Sequence, residues 1–271
     1  ALFLVADPAR QIVNVDSDFG RELAERCGRE VISVSMDPAR VDSGLPHVVL
    51  RATASTVHGF DVSIASSWGE GRFSLPLYGD FNVANAALVL AFLLSDGMPL
   101  DAASAALAAA KAPPGRLQRV DVDAGPEVFV DYAHTPAAIE SALGALRPHC
   151  DGELWCVFGC GGDRDAGKRP LMAGVVERLA DRVVVTNDNP RSEDPGQIIE
   201  TILGGLEQSE SATVIEDRGA AITWTIGNAA EGDVVLVAGK GHENYQIVDD
   251  GRIDFSDEEQ AIAALARRVE T

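Results

Sequence analysis

From residue 127 onward the chain alternates between two kinds of stretch, and this alternation restricts its fold more than any other feature. Short runs rich in Val, Ile and other apolar residues lie near 127–132, 153–159, 181–186, 213–216 and 233–238. Each is followed by a stretch with helical periodicity, near 136–147, 168–180, 196–208, 217–230 and 256–268. Strands that alternate with helices predict a mostly parallel, doubly wound sheet. Ligands of such sheets bind outside the carboxyl ends of the strands. The loops that follow the strands are therefore where function is to be sought.

The loop Thr186-Asn187-Asp188-Asn189-Pro190-Arg191 follows the β-branched run Arg182-Val183-Val184-Val185 and precedes a helical pattern over 197–207. A carboxylate, an amide, a rigid turn and a guanidinium within four residues can grip a ligand that carries both charges, such as a free amino acid. The same residues also read as an Asx-type turn that caps the next helix, with Arg191 in water.

Phe158-Gly159-Cys160-Gly161-Gly162-Asp163-Arg164-Asp165-Ala166-Gly167-Lys168-Arg169-Pro170 invites two motif readings and satisfies neither. The third glycine of a dinucleotide fingerprint would fall on Arg164. A phosphate-binding loop would need Ser or Thr where Arg169 stands, and Asp163 and Asp165 would repel phosphate. What remains is a glycine-rich turn presenting Arg164 beside the 186–191 loop, since consecutive strands are often neighbours. Val237-Ala238-Gly239-Lys240-Gly241-His242-Glu243 ends a third strand. There Gly239 permits close backbone approach, and Glu243 offers an acceptor for an ammonium group. Two arginines and two acids converging on one edge suggest a ligand with more than one carboxylate. Asp131-Tyr132-Ala133-His134-Thr135-Pro136 closes a fourth strand. Asp131 can accept from ribose hydroxyls and Tyr132 or His134 can lie against a base, or else Asp131 satisfies loop amides and Thr135-Pro136 opens a helix.

The first half reads differently. Strands are expected at 11–15 and 31–35, with a helix between them, and three β-rich runs at 48–54, 59–66 and 72–77 suggest an antiparallel meander. Gly79-Asp80-Phe81-Asn82-Val83-Ala84-Asn85 precedes a helix at 86–95, where Asn82 and Asn85 share a face and read as caps. A second helix at 101–111 stops at Ala112-Pro113-Pro114-Gly115-Arg116, which sets the expected domain boundary, 1–112 and 113–271, and an expected hinge. The apolar start Ala1-Leu2-Phe3-Leu4-Val5, with no initiator Met, is expected to pack on preceding chain.

A net charge of −20 argues against nucleic acid or an anionic membrane as partner. The longest apolar stretch, 86–94, is too short to span a bilayer, and the N-terminus lacks a signal-peptide pattern, so a cytoplasmic monomer is expected. The four cysteines lack the paired spacing of a zinc module, and no residue is assigned to a metal.

Taken together, the 131–136, 158–170, 188–191 and 238–243 motifs and Gly79-x-Phe81-Asn82-Val83-x-Asn85 resemble the Mur ligases, in the branch that adds meso-diaminopimelate. The resemblance covers nearly the whole chain. It implies a partial central domain, with a mixed sheet that has an antiparallel portion, followed by a Rossmann-like doubly wound α/β C-terminal domain. It implies ATP-dependent, Mg²⁺-assisted amide ligation in peptidoglycan synthesis. There the carboxylate of UDP-MurNAc-L-Ala-D-Glu is phosphorylated and the diamino acid attacks the acyl phosphate. On this likeness Arg164, Asp188, Asn189, Pro190, Arg191, Gly239 and Glu243 would hold diaminopimelate. Arg116 would reach nucleotide phosphates, Asp131 and His134 the nucleoside, and Asn82 the adenine side. No catalytic residue is assigned. Such ligases also have a G-x-x-G-K-[ST] phosphate loop, a Mg²⁺-binding acid, a carbamylated lysine and a UDP-binding domain. None of these is in the 271 residues, so the chain is expected to be an incomplete portion that is inactive alone. The alternatives are a non-catalytic amino-acid-binding module and a relative that ligates another amino acid, against which the Asp188–Arg191 tetrapeptide argues.

Overall fold

The computed structural model describes residues 11–27, 31–122, 125–249 and 251–269, so the apolar start at 1–5 lies outside the described residues. The chain divides into two compact units, Ala1–Lys111 and Ala112–Thr271.

The first unit is built on a five-stranded sheet in the order β1 (Ile12–Asn14), β2 (Ile32–Ser35), β3 (His47–Thr56), β4 (Gly59–Ser66), β5 (Gly69–Leu75). The meander expected from the sequence is present as β3–β4–β5, but β1, β2 and β3 run parallel, which makes one mixed sheet. Helix α1 (Asp18–Cys27) connects β1 to β2. Helices α2 (Asp80–Ser95) and α3 (Leu100–Ala108) pack Val83, Ala87, Leu90, Leu94, Ala103 and Leu107 against Val34, Leu50, Val62 and Leu75 of the sheet. Helix α2 begins six residues before the expected start, with Gly79 at its N-cap and no side chain capping it. The two asparagines therefore do not act as caps. Asn82 Nδ2 donates back to the Tyr78 carbonyl at 2.8 Å, and Asn85 Nδ2 donates to Asn82 Oδ1 at 3.3 Å.

The second unit is a six-stranded sheet in the order β10-β9-β8-β11-β7-β6, formed by β6 (Gln118–Arg119), β7 (Glu127–Asp131), β8 (Leu154–Phe158), β9 (Arg182–Val185), β10 (Thr213–Val214) and β11 (Val234–Ala238). All neighbours are parallel except β6 with β7. The strands β7, β8, β9 and β11 are largely apolar on both faces, as strands covered on both sides must be. One face, carrying Val128, Val130, Val157, Val184, Val235 and Val237, packs on α7 (Arg218–Asn228) and α8 (Asp257–Val269) through Ile222, Ile226, Ala261 and Leu265. Helices α4 (Pro136–Leu146), α5 (Lys168–Leu179) and α6 (Pro195–Leu203) follow β7, β8 and β9, and bury Ile139, Leu143, Met172, Val176, Ile198 and Ile202. Strand order reverses between β8 and β11. A hairpin, β12 (Tyr245–Val248) and β13 (Gly251–Asp254), follows β11; neither it nor β6 is expected from the sequence.

One buried ion pair fixes the carboxyl end of this sheet. Arg218, at the start of α7, forms two parallel bonds to Asp257 at the start of α8, Nε to Oδ1 at 2.7 Å and Nη2 to Oδ2 at 2.8 Å, with both side chains fully buried. The same guanidinium donates to the carbonyls of Asn187 (3.3 Å), just past the end of β9, and of Ala238 (2.9 Å), the last residue of β11. Removing one partner leaves a buried charge with no counterpart, which costs far more than replacing both. Arg218→Met is expected to lower unfolding free energy by about 3–5 kcal/mol in urea titrations, and the double variant Arg218→Met/Asp257→Leu to recover most of that loss.

Candidate functional site

The loops after β7, β8, β9 and β11 enclose a cleft of about 570 Å³ at the carboxyl edge of the second unit's sheet, where the strand order reverses. Arg164, Asp188, Asn189, Arg191, Gly239 and Glu243 all line it, together with Tyr132 and His134. Pro190 does not line it; its carbonyl accepts from Glu193 N at 3.1 Å and closes the turn behind the wall. Asn82 belongs to the first unit, in the first turn of α2.

The 186–191 loop is far from being a solvated turn. Thr186, Asn187, Asp188 and Asn189 are all buried. The amide of Asn189 is engaged at both ends: its Oδ1 accepts from Lys240 Nζ and from Ile247 N, both at 2.9 Å, and its Nδ2 donates to Glu243 Oε2 at 3.0 Å. Burial pushes the Asp188 carboxyl above the usual carboxylate range, with Arg218 and Lys240 acting against the shift. Burial likewise pushes the Lys240 ammonium down, opposed by Asp188. Gly239 has φ +124°, and a Cβ there would stand 2.6 Å from Asp188 Oδ2, so the position needs glycine both for its backbone and for space.

Arg191 is held from both sides. Its Nη1 donates to the Gly162 carbonyl at 2.8 Å, its backbone N–H to Ile247 O at 3.2 Å, and its carbonyl accepts from Asp249 N at 2.9 Å. Its φ is +53°, a region that costs a residue with a Cβ roughly 1–2 kcal/mol and persists only where surroundings enforce it. Asp163 and Leu117 share this geometry, at +51° and +43°. Asp163 is anchored by Ser192, whose hydroxyl donates to it at 2.9 Å, and its carboxyl lies below the usual range mainly because of that bond. Arg164, by contrast, is exposed, and among the described residues it donates only to the Asp163 carbonyl, at 3.1 Å. Arg169, at the start of α5, is buried against Glu193 at 2.8 Å.

A second cluster stands at the mouth. The Arg116 guanidinium lies 5.2 Å from the centre of the Tyr132 ring, which stacks edge-on with His134 at 4.6 Å and tilted against His242 at 5.7 Å. Asp131 accepts from Leu117 N at 2.7 Å, and burial raises its carboxyl above the ordinary value against that bond. Gly115, at φ +65°, seats this segment: a Cβ would lie 2.1 Å from His242 N. Arg116 and Asp131 are thus beside the cleft, not in its lining. Among the described residues no group of three His, Cys, Asp or Glu side chains stands ready to hold a metal ion. No helix of the described residues is long and apolar enough to cross a membrane.

The residues that sequence reasoning passed over are the buried cations, Lys240, Arg169 and Arg218, and Tyr245 of the hairpin, which also lines the cleft. Lys240 lay in view between two glycines, but a lysine in a loop reads as solvated unless its burial is known.

Residues 115–241 match the Mur ligase family's glutamate ligase domain. Over 97% of its length the chain is 45% identical to the UDP-N-acetylmuramoyl-L-alanyl-D-glutamate--2,6-diaminopimelate ligase of Haemophilus influenzae, of which it covers 54%. It is 45% identical over 97% of its length to the protein of that name from Synechococcus, of which it covers 52%. The chain therefore spans about half the length of these relatives. A solved structure of a UDP-N-acetylmuramoyl-L-alanyl-D-glutamate--2,6-diaminopimelate ligase superposes on the whole chain with a TM-score of 0.77 and 33% identity, over 55% of that protein. A folylpolyglutamate synthase from Thermotoga maritima shares the fold, at a TM-score of 0.59 and 21% identity over 84% of this chain and 57% of that one.

Cys160 lines the cleft beside Asp188, and burial pushes its thiol up to about 12. At pH 8 roughly one such thiol in ten thousand is ionised. Iodoacetamide applied to the native protein at pH 8 is expected to leave Cys160 and the buried Cys156 intact in peptide mapping, and to modify both once the chain is unfolded in urea.

Proposed function

We propose, from the premise that the chain belongs to the Mur ligase family, that it is part of an ATP-dependent ligase joining meso-diaminopimelate to UDP-MurNAc-L-Ala-D-Glu in peptidoglycan synthesis. On this reading residues 113–271 are the amino-acid-binding domain and residues 1–112 the C-terminal portion of the central ATP-binding domain. The observation that carries the proposal is the meeting of Arg164 and Arg191 with Asp188 and Glu243 in one cleft. Meso-diaminopimelate carries two carboxylates and two ammonium groups, and a wall with both signs of charge suits it. A nucleic acid or a membrane offers no such match to a chain of net charge −20.

The cluster at the mouth fits a nucleotide in chemistry. Its aromatic rings offer a face to a base, and the Arg116 guanidinium, exposed on one side, can meet phosphate oxygens. The Asp131 carboxyl already accepts from the backbone of Leu117 and of Ala133, and its remaining lone pairs can accept from a ribose hydroxyl. ATP, when bound, supplies the activation of the acceptor carboxylate. Mg²⁺ is assigned no ligand among the described residues. Within the cleft the task of this chain is to bind and orient the incoming amino acid. Arg191, whose guanidinium and backbone are both tied down, is already in place before the ligand arrives, whereas exposed Arg164 must lose side-chain freedom on binding.

Preorganised Arg191 is therefore the cation we assign to the carboxylate that diaminopimelate has and lysine lacks. In a complete enzyme Arg191→Ala is expected to weaken diaminopimelate by about 2–5 kcal/mol, some tens to thousands in relative affinity, and lysine little. Ligation assays varying either amino acid check this. Equal losses for both would show that Arg191 shapes the loop without reading the second carboxylate.

A further inference from the structure

Lys240 has 0% of its surface exposed, so no ligand in the cleft can touch it. Its three neighbours, however, all line that cleft. Nζ donates to Asn189 Oδ1 at 2.9 Å and to Glu243 Oε2 at 3.4 Å, and stands 3.8 Å from Asp188 Oδ1. Two of the ammonium group's hydrogens are thus hydrogen-bonded, and Asp188 stands at ion-pair distance. The Tyr245 ring covers it from a further side, its centre 5.6 Å from Nζ.

The local charge count is more informative than the bonds. Two carboxylates face the cleft and one ammonium lies behind them. The other charged groups packed on this point, Arg218 and Asp257, neutralise each other through their paired bonds. The cluster is left with one net negative charge. A wall with that charge suits a single ammonium group, whereas two uncompensated carboxylates would repel each other and suit a divalent cation or a shared proton. Lys240 also sets the direction of the Asn189 amide. If the amide were flipped, its NH₂ would point at the ammonium and at Ile247 N, both donors. In the observed direction Nδ2 reaches Glu243 Oε2, so Asn189 and Lys240 both bond to that one oxygen of the carboxylate.

We propose that Lys240 is a positioning residue that reduces the Asp188–Glu243 pair to one net charge and orients Asn189, so that the cleft selects one ammonium group of its ligand. The assignment deepens the diaminopimelate reading and rests on it. A lysine that merely stapled the 186–191 loop to the 239–243 loop would be replaceable by a neutral donor. A lysine that sets charge would not.

The test compares the 271-residue chain with Lys240→Met, which loses charge and donors, and Lys240→Gln, which loses the charge but keeps a neutral donor on a shorter side chain. Thermal melts followed by circular dichroism establish that each variant folds. Carbon-detected NMR of the ligand-free proteins then follows the Asp188 carboxyl. Its titration is expected to move to higher pH in both variants, because a neighbouring cation has been removed. Calorimetric titration with meso-diaminopimelate is expected to show binding weakened about tenfold or more at pH 7 in both variants. Below neutrality the loss should shrink as Asp188 takes up its proton and returns the pair to one net negative charge, while Arg191→Ala shows a loss that pH does not change. The titration of the ligand itself is common to all the proteins and cancels in the comparison. A folded Lys240→Gln that binds as tightly as the parent, or an Asp188 titration that does not move, overturns the role assigned to Lys240. A parent chain that ignores diaminopimelate while Asp188 shifts in the variants counts against the diaminopimelate reading and leaves the charge-setting role standing.

Discussion

The pairing of Arg218 with Asp257 is the contact on which the rest of the second unit depends. Parallel strands end wherever their hydrogen-bond ladder stops, and the chain beyond them is under no regular constraint. Here one guanidinium turns two donors to a carboxylate from the start of α8 and two more to the carbonyls just beyond β9 and at the end of β11. The points where two ligand-facing loops leave the sheet are thus fixed relative to each other by a single rigid, planar group. A lysine could not do this, since its ammonium is a point charge on a flexible stem. Complete burial makes the arrangement costly to form and costlier to half-remove, which ties the geometry of the site to the integrity of the core.

A second tier of contacts sits on that base. Gln246 Nε2 donates to the Asp188 carbonyl at 2.6 Å, and the backbone of β12 pairs with Asn189 and Arg191. The hairpin after β11 therefore reaches across and clamps the loop after β9. Its effect is to hold Arg191 at a positive φ without glycine, and the backbone energy this requires is drawn from the hydrogen bonds around it.

Much of this was legible in the sequence, and for definite reasons. Runs such as Val183-Val184-Val185 and Val234-Val235-Leu236-Val237 are apolar on both sides because helices cover both faces, so their strand character needs no context. Asp188, Asn189 and Arg191 stood out because polar residues directly after such a run must either solvate or bind something. The hairpin at Tyr245–Asp254 escaped notice because β13 is exposed throughout and carries no apolar alternation. Lys240 and Arg218 escaped because burial of a charge is decided by partners 39 or 51 residues away in sequence, Asp257 and Asn189. The early start of α2 escaped because Asn82 and Asn85 look like caps, yet each turns its amide to an oxygen within the helix entrance.

The place of β11 in the sheet has a consequence for how the molecule comes into being. This strand lies between β8 and β7, and pairs with both. It is also the last strand of the sheet in chain order. During synthesis β7 on one side and β8, β9 and β10 on the other are made long before the strand that joins them, so until residues 234–238 arrive two open strand edges face a vacant slot. Such edges are templates for pairing with other chains, and closing them requires contacts spanning a hundred residues, which slows folding. The Gly239–Glu243 wall of the cleft immediately follows β11. Sealing the sheet against misassociation therefore also delivers this wall of the site, and the hairpin and α8 that clamp the remaining loops follow directly behind it in the chain.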